Sequence, residues 1–221
     1  MINVEGVEIR WNGHDGFRFD LNNKRIYVDP YKLIKEYDDK NDANIILISH
    51  NHFDHLSIED INKIVNKNTK ICTSEECLDS LKKNYPANDI ILLEPGETKK
   101  IIEDGITITG IEAYNTNKNF HPKKDKKIGF IIEINNLSIY HTGDTDIIPE
   151  MEKVNPDVLL APVSGTYVMT AQEAIKATNE IIKPKKLAIP MHYGTIVGTV
   201  KDAEDFSKGV NVCKTSILEV E

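Results

Sequence analysis

NIILISHNHFDH, residues 44–55, joins two patterns that decide how the rest of the chain is read. Its first half, NIILIS at 44–49, is a short continuous apolar run of the kind expected for a strand buried on both faces. Its second half, HNHFDH at 50–55, holds three of the chain's seven histidines and an aspartate in six positions. The crowding begins where the strand ends, and in α/β sheets ligand-binding groups collect on loops beyond the carboxyl ends of strands. Imidazole nitrogen and carboxylate oxygen bind Zn²⁺ at about 2.0–2.2 Å, and a tetrahedral shell needs several such donors converging on one point. In a tight turn His50 and His52 could face one point while Asp54 and His55 reach a second nearby, which leaves room for one metal or two adjacent ones. The plain alternative is a set of solvated polar loop residues.

Outward from that stretch the segments alternate legibly. VEIRW, GFRFD and RIYVDP predict three early strands, the last two a hairpin about Asn22 and Asn23. A helix is expected over 57–66, where Ser57 and Asp60 have capping-box spacing and Ile58, Ile61 and Ile64 or Val65 share a face. KICTS, a helix near 75–83, and DIILLE repeat the strand, helix, strand rhythm. The second half echoes the first. KKIIE and ITITGIEA flank a turn at Asp104 and Gly105, and FIIEI and LSIYH flank Asn135 and Asn136. DVLLAPV at 157–163 is another buried strand, followed by Thr170 and Glu173 as a capping box for AQEAIKATNEII, which Pro184 closes. KLAIPMH, a short helix near 202–207 and a last strand SILEV complete the chain. No linker or shift in composition divides the halves. The expectation is one domain over 1–221 of α/β (α+β) class, with two sheets packed together and helices outside.

Composition narrows the function classes. The 221 residues are 40% hydrophobic and 28% charged, ordinary for a globular protein. A net charge of −8, from 27 basic and 35 acidic residues, leaves no broad basic face for the backbone of extended nucleic acid. Cys72, Cys77 and Cys213 are an odd number without CxxC spacing and read as free thiols. No apolar run approaches bilayer length and MINVEGVEIRW is no signal peptide, so a cytoplasmic protein that does not engage membranes is expected.

Two further strand ends carry ligand-type residues: Asp144, in HTGDTD after LSIYH, and His192, in PMHYG after KLAIP. With these in place the chain resembles the metallo-β-lactamase superfamily of metal-dependent hydrolases, whose HxHxDH signature matches HNHFDH and whose later aspartate and terminal histidine match HTGDTD and PMHYG in order. Within it, the chain looks closest to small hydrolases related to the L-ascorbate-6-phosphate lactonases. The resemblance implies a four-layer αββα sandwich. It also implies that His50 and His52 bind one metal, that Asp54, His55 and His192 bind the other, and that Asp144 bridges the two.

One departure matters. The family usually supplies a further histidine before the bridging aspartate, and here ITGIEAYNTNKNFHP places Asn115 there, with His121 six residues on. Either His121 swings in, or the first shell is His50, His52 and Asp144 with water and a weak oxygen from Asn115. Fewer imidazoles would loosen the preference for Zn²⁺ toward Mn²⁺ or Fe²⁺. Asp29, in IYVDP, is either an acceptor for the far nitrogen of a ligating histidine or a plain turn residue before Pro30. His14, in WNGHDG, is either a site-edge residue or an exposed turn histidine, and His141 reads as a packed strand histidine. The loop NKNFHPKKDKK is either a solvated surface loop or a contact for an anionic substrate through Lys118 and His121, with Phe120 as a cover. SGTY at 164–167 would offer backbone N–H groups around Gly165 and a wall residue, Tyr167.

The reaction expected is hydrolysis of a small anionic molecule, a phosphodiester or lactone, by a metal-bound hydroxide at one or two Zn²⁺ ions, with Asp54 or Asp144 relaying protons. No GxSxG elbow or Cys/His signature offers a protein nucleophile. Two alternatives remain open: a di-iron relative with oxidoreductase activity, and a metal-binding module without catalysis.

Overall fold

The computed structural model describes residues 1–102 and 105–221, which divide into two compact units, Met1–Glu94 with Leu218–Glu221, and Pro95–Ile217. The first unit is built on one seven-stranded sheet in the order β1 (Ile2–Val4), β2 (Val7–Gly13), β3 (Gly16–Leu21), β4 (Lys24–Val28), β5 (Ile45–Ile48), β6 (Lys70–Thr73) and β7 (Asp89–Leu92). The first four strands are antiparallel neighbours and the last three continue in parallel from β4. Tight turns account for the antiparallel half: Glu5 and Gly6 both have positive φ, as does Asn22 between β3 and β4. β1 is too short to announce itself in the sequence. The four residues of β5 are wholly buried, as a continuous apolar run in a parallel strand requires.

Helix α1 (Ile58–Ile64) returns from β5 toward β6, and its Ile61 and Ile64 join Ile46, Ile48, Ile71 and Leu81 in one apolar core. Ser57 caps it by accepting from the Asp60 N–H. Asp60 is buried because its carboxylate also accepts from the backbone of Lys32 at 2.8 Å and Leu33 at 2.9 Å. That clamp holds the segment leaving β4, and with it Asp29. The helix expected at 75–83 is a 3₁₀ turn over Glu75–Cys77 followed by α2 (Leu78–Asn84).

The second unit repeats the scheme. Its sheet runs β8 (Thr98–Ile102), β9 (Ile106–Glu112), β10 (Ile128–Ile134), β11 (Leu137–His141), β12 (Val158–Pro162), β13 (Leu187–Met191) and β14 (Lys214–Thr215). Four strands are again antiparallel neighbours and three follow in parallel. β8 and β9 pair as expected, although Asp104 of their turn lies outside the described residues. Gly129 in β10 is required by close approach: a Cβ there would lie 2.4 Å from the Thr142 carbonyl oxygen, so its absence lets the chain leave β11 toward Asp144.

Helix α3 (Ala171–Lys176) carries the Thr170 and Glu173 capping box and continues into a π-helical segment, Ala177–Ile182, where Thr178 Oγ1 donates to the Ala174 carbonyl. Helix α4 (Val200–Gly209) is longer than the 202–207 expected, starting from its own capping box at Thr199 and Asp202. SILEV is not a sheet strand. The paired residues are Lys214 and Thr215, and beyond them Val220 forms only an isolated bridge with Trp11. Among the described residues, no helix is long and apolar enough to cross a membrane.

Candidate metal centre

In the first unit, β5 delivers HNHFDH into a turn in which the His55 N–H donates to the His52 carbonyl at 3.0 Å. The ring centroids of His50 and His55 lie 3.9 Å apart, and His50 Nε2 is 3.0 Å from His52 Nδ1. Behind the rings stands Asp29, fully buried at the end of β4 with φ at 42°. One of its oxygens accepts from the Ser49 N–H at 2.8 Å; the other accepts from Ser49 Oγ at 2.5 Å and faces His55 Nδ1 at 2.8 Å. Since an ionised carboxylate only accepts, His55 carries its proton on Nδ1 and turns Nε2 outward as a donor atom. The Ser49 hydroxyl donates to Asp29, so at 2.9 Å its oxygen accepts from His50 Nδ1, which orients His50 Nε2 in the same way.

The turn from β2 to β3 adds two residues to this cluster. His14 and Asp15 are fully buried, His14 sits at φ 52°, and Trp11 Nε1 holds its carbonyl at 2.9 Å. His14 Nε2 lies 3.0 Å from Asp54 Oδ2. His14 is therefore at the site and not in an exposed turn. Asp15, which sequence reasoning alone does not single out, has Oδ2 at 3.6 Å from His55 Nε2. The signal for it is a carboxylate beside His14, inside a turn only two residues long.

In the second unit, Asp144 Oδ2 has His121 Nε2 at 3.3 Å and His192 Nε2 at 3.4 Å. His192 leaves β13 with φ at 59°, and its Nδ1 meets Ser164 Oγ at 2.8 Å. Asn115 and His121 meet each other in the loop. The Asn115 side-chain oxygen accepts from the His121 N–H at 2.9 Å and faces its Nδ1 at 3.2 Å, while its amide donates to the Tyr167 carbonyl at 2.8 Å. Both ends of the Asn115 amide thus hold the loop, and the imidazole it steadies, 1% exposed, is the group beside Asp144. His141 is buried and its Nδ1 accepts from the Gly143 N–H at 3.2 Å, as a packed strand histidine would.

Lys118 pairs with a carboxylate of its own unit. Its ammonium lies 2.5 Å from Asp146, whose other oxygen accepts from the backbone of Thr116 at 2.9 Å and Asn117 at 3.3 Å. The lysine is a structural partner of a buried carboxylate. Gly165 likewise donates its N–H to the Met169 carbonyl at 3.0 Å, so that amide is not offered to an anion. Tyr167 is half-buried and meets Phe120 edge to face with ring centroids 4.7 Å apart, while Phe120 is exposed. Burial pushes the Tyr193 hydroxyl, next to His192, up to about 12, so it stays protonated at neutral pH.

The profile of the β-lactamase superfamily domain matches residues 8–192. A metal-dependent hydrolase of the UPF0173 family from Thermococcus onnurineus is 31% identical over 212 residues, covering 91% of each chain. Its counterpart from Archaeoglobus fulgidus is 31% identical, covering 97% of this chain and 94% of its own. A solved metal-dependent hydrolase from Parabacteroides distasonis superposes with a TM-score of 0.76 at 28% identity, over 97% of this chain and 94% of that one. The metallo-β-lactamase fold protein YhfI from Bacillus subtilis gives 0.70 at 15% identity, over 94% and 89%. The chain belongs to the β-lactamase superfamily, and its fold is of the metallo-β-lactamase type.

Proposed function

We propose that the protein is a metal-dependent hydrolase that cleaves a small anionic substrate, a phosphodiester or a lactone, at a centre of two divalent cations, with residues 1–221 acting as one catalytic domain. The family match from 8 to 192 runs through both units, which supports a single domain. The observation that carries the reading is shared by four histidines: Nδ1 of His50, His55, His121 and His192 each faces an oxygen, on Ser49, Asp29, Asn115 and Ser164. Metal-ligating histidines are typically held by the other ring nitrogen in this way, which fixes the tautomer and raises ligand basicity.

On the family's pattern, His50, His52 and Asp144 serve one cation, and Asp54, His55, Asp144 and His192 serve the other. His121 supplies the imidazole otherwise missing from the first set. That imidazole-rich donor set suits Zn²⁺ better than the hard-ligand shells preferred by Mg²⁺ or Ca²⁺. Cations held by these residues would supply a water of lowered pKa and polarisation of the carbonyl or phosphoryl group. Asp54 and Asp144 are the carboxylates positioned to take up and pass on protons during turnover. The cations themselves attract an anionic substrate, so the reading does not need Lys118 as a contact.

Metal analysis of untagged protein, paired with hydrolysis of bis(p-nitrophenyl) phosphate and a lactone panel under Zn²⁺, Mn²⁺ and Fe²⁺, tests this directly. Turnover that disappears with a chelator and returns with metal is expected. Tightly held iron with oxygen consumption and no hydrolysis would favour the oxidoreductase alternative, and bound metal with no turnover on either substrate class would favour the module without catalysis.

A further inference from the structure

We infer that His14 and Asp15 are themselves metal ligands, and that with Asp54 and His55 they give one cation four donors from the first unit. The inference rests on the reading above, in which Asp54 and His55 hold a cation, and extends that cation's shell by two residues the family pattern does not assign. The ligand atoms of His14, Asp15 and His55 all lie within 4.8 Å of one another. The separations are 3.0 Å for His14 Nε2 to Asp54 Oδ2, 3.6 Å for His55 Nε2 to Asp15 Oδ2, and 3.9 Å for both His14 Nε2 to Asp15 Oδ2 and His55 Nε2 to Asp54 Oδ2.

Those lengths discriminate between two arrangements. A hydrogen bond would draw nitrogen and oxygen to about 2.7–3.2 Å, and three of the four separations are too long for one. Donors about 2.0–2.2 Å from a common tetrahedral centre stand roughly 3.3–3.6 Å apart, close to the middle of the observed values. Orientation agrees: Asp29 holds His55 by Nδ1, so Nε2 is the atom presented to Asp15 and Asp54. Electrostatics agrees as well. Asp15 is fully buried and Asp54 nearly so, and burying a carboxylate is costly unless its charge is offset. A divalent cation bound by His14, Asp15, Asp54 and His55 supplies the offsetting charge at the point where the oxygens converge.

The left-handed His14 then has a reason. With Gly13 also at positive φ, it reverses the chain within two residues and turns adjacent side chains toward one centre. Because four of its donors come from the first unit, this cation should still bind, though less tightly, when His192 is removed.

Titration of Co²⁺ into the full chain stripped of metal, read by d–d absorption and by metal stoichiometry, tests the inference. Asp15→Asn and His14→Gln should each weaken one binding step by about tenfold or more. His192→Ala should weaken the same step without abolishing it. Asp15→Cys should add a thiolate-to-Co²⁺ charge-transfer band in the near ultraviolet, a signature that a purely structural Asp15 would not produce. Circular dichroism checks each fold, and should Asp15→Asn fail to fold, His14→Gln and Asp15→Cys decide the matter. Wild-type affinity in Asp15→Asn and His14→Gln, with no new band in Asp15→Cys, would overturn the inference. If a step is nevertheless lost in His55→Ala, the metal reading itself survives. No Co²⁺ binding by the wild-type chain would overturn both.

Discussion

The two units use one strand scheme, four antiparallel strands followed by three parallel ones, yet they present histidines by different means. In the first unit the connection between the second and third strands is the turn His14 to Asp15, with His14 at positive φ, its carbonyl held by Trp11 and its ring beside Asp54. In the second unit the equivalent connection spans 113–127, and its histidine, His121, is held by a neighbouring side chain, Asn115. The supports differ in charge too. His55 leans on the carboxylate of Asp29, whereas His192 and His121 lean on the neutral oxygens of Ser164 and Asn115. A carboxylate partner makes an imidazole the more basic ligand, so His55 is expected to hold a metal more tightly than His50, His121 or His192, each of which leans on a neutral oxygen.

The largest expected effect comes from Asp144, a carboxylate of the second unit flanked by two imidazoles. Asp144→Ala should reduce hydrolysis to background while circular dichroism stays that of the wild type, because both His121 and His192 lose the oxygen between them. Near-normal turnover in a well-folded variant would remove Asp144 from the site. Next is Asp29→Asn, which keeps shape but removes the charge behind His55 and Ser49. Metal affinity or activity should fall roughly 10–100-fold. The comparison predicts a smaller loss for Ser164→Ala, measured by the same competition with a chelator. Equal losses in the two would mean that the charge of the support is irrelevant.

A third variant probes the long connection. Asn115→Ala removes the acceptor for His121 and the donor to Tyr167 together, so His121 should lose its fixed direction and one metal step should weaken by about tenfold. Asn115→His should not strengthen that step, since His121 already occupies the place beside Asp144. A tightening on Asn115→His would instead assign the missing ligand to position 115 and leave His121 in a merely structural role.

How much of this was legible in the sequence follows the same divide. HNHFDH is local: strand burial and donor spacing are both written in twelve consecutive residues, and β5 with its loop lies where 44–55 indicated. Asp144 and His192 were legible as candidate donors at strand ends. Asp29 was legible because a carboxylate before Pro30 ends a strand, and its hydrogen bonds to Ser49 and His55 have the expected form. His121 was not decidable, because which way a loop of this length folds depends on the side-chain amide of Asn115 and on where the Tyr167 carbonyl lies. Asp15 was missed since a Gly-His-Asp-Gly turn has the residue types of any tight turn. SILEV was misread because alternation describes a strand's faces but cannot show whether an edge is there to pair with.

The smallest effect on chemistry is expected at Lys118. Its ammonium meets an Asp146 carboxylate that is 1% exposed and that also collects two backbone N–H groups from Thr116 and Asn117. Lys118→Met leaves those two donors in place but removes the opposite charge, so stability should drop by about 1–3 kcal/mol. In a chain of this size that is roughly 2–4 °C of melting temperature for each kcal/mol. Turnover should respond only through the order of the 113–127 loop, and kcat/KM should therefore change by the same factor for an anionic and an uncharged substrate. A rise in KM confined to phosphorylated substrates, with melting unchanged, would return Lys118 to the role of anion contact. The second unit would then meet the substrate through its long connection.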